Sequence, residues 1–291
     1  MPEPIQLGTF TPSVLLRVAR RTGRLDEAGL EVLEAPVASS PAQFAALLDG
    51  SLDAVLTSPD NVLAYRYSPQ NPLGRTADVR ILASVDRGLG LALYSRLAAA
   101  DLPGRTFGVD VPDSGFAFAM YALAESLGLS RDDYRVVALG STPKRLAALL
   151  AGECDATMLN AGNELHAEAA GQRALARASA VCGPYLGTVL AGVRPVDGGL
   201  AKALTETAAA VVSGALDALV IDEAGAALGL PAPLAVRYLT RLKDPAEGLV
   251  PDGAVDLDAI RTLVDLRRRY GPALDGDPLS AALDPDSGLI A

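Results

Sequence analysis

The sequence predicts an α/β protein built from two similar lobes, and an internal repeat is the main reason. Residues 39–61 and 141–163 share Pro, Ala-Ala-Leu-Leu, Gly, Asp-Ala and a distant Asn in the same register. Each copy has hydroxyl residues and Pro at a helix start, an apolar stripe, a stop at Gly50 or Gly152, and then a short strand. Helices that alternate with strands indicate βαβ units. Two copies about a hundred residues apart therefore predict two lobes, each a mainly parallel sheet flanked by helices.

The first lobe follows the expected order of strands and helices. Thr11-Pro12-Ser13 has the residue types that open a helix, and 29–34 alternates like a half-buried strand. The predicted elements are a strand at 5–9, a helix at 11–22, a strand at 29–34, the first repeat helix, a strand at 54–57, a helix at 61–65, and strands at 80–85 and 89–95.

The second lobe repeats that order, and the chain then returns to the first lobe and ends in helices. Arg267, Arg268 and Arg269 lie at a predicted helix C-terminus, where they complement the dipole and are expected to face water. The Pro-, Gly- and Asp-rich residues 271–291 are expected to form a tail of low order or a surface wrap. The predicted elements are strands at 106–110, 135–139, 156–159 and 186–192, and helices at 114–127, 164–171, 199–220, 222–228, 233–240 and 256–270 besides the second repeat helix.

Composition limits the partners of the protein. The 291-residue chain is long enough for two cores, and its net charge of −10 argues against nucleic acid as a partner. Cys154 and Cys182 form no disulfide framework or metal-ligand spacing, so we expect two buried free thiols. We expect no cofactor and no metal.

Targeting signals are not visible in the sequence. The start lacks the basic residues of a leader, and Ile5 to Phe10 is too short for an apolar signal core. As written, the sequence predicts a cytoplasmic protein; the alternative is a periplasmic or cell-surface protein with its leader trimmed. The segment 200–221 is apolar but contains Lys202, Glu206 and Asp217, so we expect an amphipathic helix and not a membrane span.

Several short segments and their spacing along the chain resemble a known family. The segments are Gly29-Leu30-Glu31-Val32, residues 48–54, residues 101–109, Ser114-Gly115, residues 152–156 and Glu247-Gly248-Leu249-Val250. Together they are similar to the type II periplasmic-binding-protein fold, and within it to the ABC-importer family of sulfonate-, nitrate- and pyrimidine-precursor-binding proteins. The resemblance covers roughly residues 5–272.

The resemblance implies how the lobes are connected. The first lobe is expected to be discontinuous, with residues 1–90 and 191–291, and the second lobe to comprise residues 91–190. Two crossing strands would form the hinge, and ligand binding would close the lobes.

Polar residues at predicted strand ends and helix starts are the candidate ligand contacts. Free N–H groups at helix starts favour an anion, and Gly115 allows close approach to the backbone. Aromatic residues there would supply a flat wall for a ring, and Asp60 would bind an amine or a ring N–H. The alternatives are that each hydroxyl or Asp60 only caps its helix and that each aromatic belongs to the core. The predicted ligand-binding residues are Thr9, Phe10, Thr11, Ser39, Ser40, Ser58, Asp60, Asn61, Ser114, Gly115, Phe116, Ser141, Thr142, Asn160, Asn163 and Tyr185.

These features favour a monomeric binding protein for a small organic, anionic or ring-bearing solute, with an ABC permease as its partner and no catalytic residue. The alternative is an enzyme of the lyase, decarboxylase or desulfinase type, or an intracellular sensor on the same fold. The early loops contain no Cys, and the single histidine, His166, is predicted on a helix surface. A lyase that uses only the carboxylates of Asp60 or Asp110 remains as the enzymatic alternative.

Overall fold

The computed structural model describes residues 3–193 and 198–291, and within them the chain forms two five-stranded sheets. The predicted fold class is confirmed. The strands are β1 (Ile5–Thr9), β2 (Val32–Pro36), β3 (Ala54–Thr57), β4 (Arg80–Asp86), β5 (Ala92–Ser95), β6 (Thr106–Val109), β7 (Arg135–Ala138), β8 (Ala156–Leu159), β9 (Arg173–Arg177) and β10 (Thr188–Gly192).

Helices connect these strands and fill the C-terminal third of the chain. Short 3-10 turns lie at 99–101, 131–133 and 285–287. The helices are α1 (Val14–Arg21), α2 (Arg24–Glu27), α3 (Ser40–Asp49), α4 (Pro59–Tyr67), α5 (Gly115–Ser126), α6 (Thr142–Ala151), α7 (Asn163–Ala169), α8 (Ala178–Val181), α9 (Gly198–Val212), α10 (Asp217–Leu228), α11 (Ala232–Lys243), α12 (Leu257–Tyr270) and α13 (Pro278–Leu283).

Each sheet is mainly parallel with one reversed strand. The first sheet has the order β2-β1-β3-β10-β4, and β10 is antiparallel to both of its neighbours. The second has the order β7-β6-β8-β5-β9, and there β5 is antiparallel to both neighbours. The reversed strand in each sheet is the one that the chain enters from the other lobe, which is the topology expected from two crossing connections.

The internal repeat corresponds to the same structural unit in both lobes. The repeat helices α3 and α6 end at Gly50 and Gly152, whose φ angles of 86° and 77° are left-handed. The repeat aspartates also have the same task. Asp53 Oδ2 accepts from the Gln6 N–H at 2.8 Å, and Asp155 Oδ2 accepts from the Thr106 N–H at 2.9 Å. Each aspartate thus secures the strand that opens its own lobe.

The lobes are joined by two tightly packed crossing segments, residues 87–91 and 182–187. At Gly187 a Cβ atom would lie 2.5 Å from Asp86 Oδ1 and 2.5 Å from Gly88 Cα, so only glycine fits. Leu89 adopts a left-handed φ of 48°, which is uncommon for a non-glycine residue. The predicted lobe boundaries at 90/91 and 190/191 stay a prediction, and parts of the predicted first lobe, namely residues 1–2 and 194–197, lie outside the described residues.

The apolar core extends from one lobe to the other through α12. This helix contacts α4 in the first lobe and α5 in the second. Its inner residues Ile260, Leu263 and Val264 are buried in a cluster with residues of both sheets. A second cluster lies between the first sheet and helices α1, α9, α10 and α11.

One predicted helix needs correction, and one strand is additional to the prediction. The helix predicted at 199–220 is two helices, because the chain turns at Gly214, whose φ is 87°. In the described part of the chain no single helix has the length and hydropathy of a membrane span, and α9 and α10, which pass that test only as a pair, are bent by 114°. Strand β9 was not predicted. The tail wraps over the first sheet, where Ile290 pairs with Ile81.

Candidate ligand-binding site

A cavity of about 120 Å³ lies between the lobes, among the strand ends and helix starts. A single water needs roughly 10–15 Å³ on the same measure, so the cavity has room for a small organic molecule. The predicted residues that line it are Thr9, Phe10, Thr11, Ser58, Asn61, Ser114, Gly115, Phe116, Ser141, Thr142 and Asn160. The prediction missed other wall residues, which include Asp86, Asp110, Arg145, Thr188 and Tyr238.

The lobes touch around this cavity. Hydrogen bonds cross between them on several sides of the cleft, and a Cβ at Gly115 in the second lobe would come 2.5 Å from Asp60 Cβ in the first. The structure is therefore a closed arrangement of the lobes. The crossing bonds run from the Ser40 N–H to Asp110 Oδ2 at 3.0 Å, from the Ser141 N–H to the Ala38 carbonyl at 3.0 Å, and from Asn163 Nδ2 to Thr11 Oγ1 at 3.2 Å.

Unpaired backbone N–H groups line the cavity at the starts of two helices. The amides of Val14 and Leu15 open α1, and those of Gly115 and Phe116 open α5. None of the four donates to an acceptor within the described residues. Helices α4 and α6 also begin at this wall, with Ser58 and Ser141 as their N-cap residues. Free amides and the positive ends of helix dipoles make this wall attractive to an anion.

The serines at these helix starts divide into two groups. Ser13 and Ser114 accept from backbone N–H groups of their own helices and act as caps. Ser58 and Ser141 make no such capping bond. The Ser58 hydroxyl is buried and has no hydrogen-bond partner among the described residues. Ser58 and Ser141 are therefore available for a ligand, whereas Ser13 and Ser114 hold the local backbone.

Arg145 is the buried cation of the site. It is 2% exposed on α6, and its guanidinium donates to the Gly140 carbonyl at 2.6 Å, to Thr142 Oγ1 at 2.9 Å, and to the Met158 carbonyl at 3.3 and 3.4 Å. All of these acceptors are neutral, and among the described residues it forms no ion pair with a carboxylate. Burial lowers the pKa of Arg145 to about 10, and Asp110 acts in the opposite direction. At neutral pH the site thus contains a buried positive charge that forms no ion pair within the described residues.

One signal in the sequence marks Arg145, namely its position in the internal repeat. Arg145 follows Pro143 by two residues, as Gln43 follows Pro41. Gln43 is also buried, and it donates to the carbonyls of Gly8 and Leu56 at 3.1 Å. Both positions place a polar side chain between the helix and the strands, but only the second lobe places a charge there.

Two carboxylates face the same cavity and differ in their partners. Asp86 at the hinge accepts from the Gly88 N–H at 2.8 Å and from Thr188. Burial raises the pKa of Asp86 to about 6, although both hydrogen bonds favour the charged form. Asp110 accepts from the Ser40 N–H through Oδ2, while its buried Oδ1 has no partner among the described residues.

Five predicted ligand contacts do not line the cavity. Ser39 caps α3 and Ser40 bonds Asp110 through its backbone. Asn163 joins the lobes through Thr11, and Tyr185 is buried in the core. The fifth, Asp60, is paired with Arg267. The predicted residues that lie outside the cavity wall are therefore Ser39, Ser40, Asp60, Asn163 and Tyr185.

The contact between Asp60 and Arg267 overturns the expectation that Arg267 faces water. Arg267 Nε and Nη2 donate to the two carboxylate oxygens of Asp60 at 2.8 and 2.6 Å. Both side chains are buried, and the guanidinium lies 4.8 Å from the centre of the Phe118 ring. The amine-binding role predicted for Asp60 has no support in this arrangement, because both of its oxygens are already occupied.

Comparison with solved structures identifies the fold. No protein-family model and no curated protein matches the sequence. The structure is similar to the alkanesulfonate-binding protein SsuA from Xanthomonas axonopodis pv. citri bound to MOPS, with a TM-score of 0.72, 18% identity, and coverage of 93% of this chain and 95% of that one. It is also similar to the periplasmic aliphatic sulphonate binding protein SsuA from Escherichia coli, with a TM-score of 0.66, 19% identity, and coverage of 93% and 87%. A Cys-to-Ser mutant of DSZB in complex with biphenyl-2-sulfinic acid is a third neighbour, with a TM-score of 0.59, 17% identity, and coverage of 97% and 99%.

The geometry and these likenesses define the class of structure. Two mainly parallel sheets, each with one reversed strand, are joined by two crossing segments and enclose a cavity at their helix starts. The chain therefore has the type II periplasmic-binding-protein fold. Within that fold its structure is SsuA-like.

Proposed function

We propose that this protein binds a small organic anion in the cavity between its lobes and delivers it to the permease of an ABC importer. The observation that carries the proposal is the buried guanidinium of Arg145, which has no carboxylate partner in the described part of the chain. The effective cost of burying an ion without a counterion is several kcal/mol. A ligand anion at the cavity wall would form the direct ion pair that Arg145 lacks.

The remaining wall supports a compact acidic group such as a sulfonate or a carboxylate. The wall offers hydrogen-bond donors that no other group in the described chain uses. They are the four unpaired amides at the starts of α1 and α5 and the hydroxyls of Ser58 and Ser141, which do not cap their helices. Hydrogen bonds to a charged group contribute about 1.5–3 kcal/mol each. Phe10 and Phe116 line the same cavity and provide apolar surface for the organic part of the ligand.

The transport role and the location are supported by the proteins that share the fold. One neighbour is described as an alkanesulfonate-binding protein and another as a periplasmic aliphatic sulphonate binding protein. We therefore propose a periplasmic location, in preference to the cytoplasmic one that the sequence as written predicts. We propose that the protein acts as a monomer. A ligand held by both lobes favours the closed form, and we propose that the permease recognises this form.

The proposal is tested by a thermal-shift screen of matched anionic and neutral compounds. The panel contains alkane- and arenesulfonates, aromatic carboxylates and phosphate esters, each beside its amide or alcohol analogue. A ligand present at a hundred times its dissociation constant stabilises the folded protein by about 2.7 kcal/mol. We expect hits among the anions and none among their neutral partners.

The same screen separates a binder from an enzyme. A hit is incubated with the protein overnight and recovered, and the binding protein returns it unchanged. Hits confined to neutral compounds contradict the anion site, and consumption of the ligand contradicts the transport function.

A further inference from the structure

Asp110 has a buried carboxylate oxygen that no group in the described chain satisfies. The residue follows β6 and is 9% exposed at the cavity wall. Its Oδ2 accepts from the Ser40 N–H at 3.0 Å, but its buried Oδ1 has no hydrogen-bond partner. Buried polar atoms are hydrogen-bonded in the great majority of cases, so an unpartnered one in a cavity-lining residue needs an explanation.

Neighbouring carboxylates do not share this property. Asp86 lines the same cavity, but the Gly88 N–H and Thr188 both donate to it. Glu34, behind the start of α1, accepts from Thr9 and from the Ser13 N–H. Among the cavity-lining residues that the structure describes, Asp110 is therefore the carboxylate with a buried oxygen that accepts no hydrogen bond.

Asp110 and Arg145 form two opposite poles in one cavity. Both side chains are buried, and the Asp110 charge raises the pKa of Arg145 against the effect of burial. Yet Arg145 bonds only neutral acceptors, and Asp110 bonds only the Ser40 N–H. Two unlike charges that face one cavity without pairing can be bridged by a molecule that carries both complementary charges.

We propose that the ligand is a zwitterion, with an acidic group at Arg145 and an ammonium or other N–H donor at Asp110 Oδ1. The inference depends on the proposed function, because it adds a second contact to the same cavity. It narrows the ligand class from organic anions to amino-substituted sulfonates and carboxylates. Asp110 Oδ2 also accepts from the Ser40 N–H of the other lobe. The residue that would bind the ligand's amine therefore also contributes to the contact between the closed lobes.

Isothermal titration calorimetry with two matched pairs of compounds tests the inference. The pairs are 3-aminopropanesulfonate with 1-propanesulfonate, and 4-aminobutanoate with butanoate. In the unmodified protein we expect the amino compound of at least one pair to bind tenfold or more tightly than its partner, because a charged hydrogen bond is gained.

Substitution of Asp110 identifies the source of that preference. Asp110→Asn keeps an acceptor for the Ser40 N–H but removes the charge, so the amino and plain compounds should bind within about threefold of one another. The matched control is Asp113→Asn, which removes the same charge from an exposed position three residues away. The control should retain the full preference for the amino compound.

The outcomes separate the inference from the proposed function. Equal binding of both members of each pair by the unmodified protein overturns the zwitterion and leaves the anion site in place. Failure of both amino compounds to bind also overturns it, whereas the proposed function fails only if the wider anion panel fails too. If Asp110→Asn still prefers the amino compound, another group binds the amine and the role proposed for Asp110 is wrong. The comparison in the unmodified protein needs no variant, so poor folding of Asp110→Asn does not prevent the test.

Discussion

Replacing Arg267 by Met should destabilise the protein far more than the same change at its neighbour Arg268. Arg267 is 2% exposed and makes two hydrogen bonds to the fully buried Asp60, at 2.8 and 2.6 Å. Arg267→Met leaves the Asp60 carboxylate buried without a counterion. Breaking a buried pair in this way costs about 3–5 kcal/mol.

Arg268→Met is the matched control. The Arg268 side chain is 60% exposed and its partner Asp265 is 61% exposed, so the loss should stay within about 0.5 kcal/mol. Urea unfolding followed by circular dichroism measures both variants. The double variant Asp60→Asn with Arg267→Met should recover part of the loss, since no charge then remains buried. A difference of less than about 1 kcal/mol between the two single variants would refute a buried, energetically coupled pair.

Two further predictions concern the closed lobes and a second buried carboxyl. Gly115→Ala should lower the midpoint of unfolding by the equivalent of about 1–3 kcal/mol, because the new Cβ would come 2.5 Å from the aspartate of the buried ion pair. The control Gly225→Ala should not lower the midpoint, because its new Cβ would meet only one carbonyl, at 3.5 Å. Equal midpoints for the two variants would contradict the close contact of the lobes. Burial raises the pKa of Glu164 from 4.5 to about 7, so the folded protein retains a proton that the unfolded chain releases as the pH rises through this range. The unmodified protein should therefore lose about 3 kcal/mol of stability relative to Glu164→Gln between pH 4.5 and 7.5, and a constant difference would contradict the burial.

The fold could be predicted because its determinants are local and occur twice. Helix starts, apolar stripes and terminal glycines are short-range features of the sequence. Because the same pattern occurs in both copies of the repeat, each copy supports the elements predicted for the other. The break between α9 and α10 could not be foreseen, because the sequence stays apolar there and a single glycine, Gly214, changes the direction of the chain.

Charged residues were the least predictable part of the site. Three consecutive arginines at a helix end suggest a solvated face, but Arg267 finds a partner 207 residues away. Arg145 sits beside the exposed Lys144, and only its correspondence with Gln43 distinguishes it. The environment of a charge depends on distant segments that no local pattern describes.

The hydroxyl residues show a different limit of sequence reasoning. Ser58 and Ser114 both precede helices at the cavity, and their local sequences do not reveal which one caps. The structure separates them, because the Ser114 hydroxyl bonds the backbone and that of Ser58 bonds nothing in the described chain. Capping geometry depends on the local backbone angles and the side-chain rotamer, which the residue type alone does not determine.

The most direct test of the central claim compares the anion affinity of Arg145→Gln with that of Lys144→Gln. Both substitutions remove one positive charge from the start of α6, but Arg145 is buried at the cavity and Lys144 is exposed. Gln43 holds the corresponding position of the first lobe, so glutamine suits the fold there. For an anion found in the thermal-shift screen, Arg145→Gln should weaken binding by at least about tenfold, and Lys144→Gln should leave it unchanged. Equal affinities in the two variants would contradict an anion site built around Arg145.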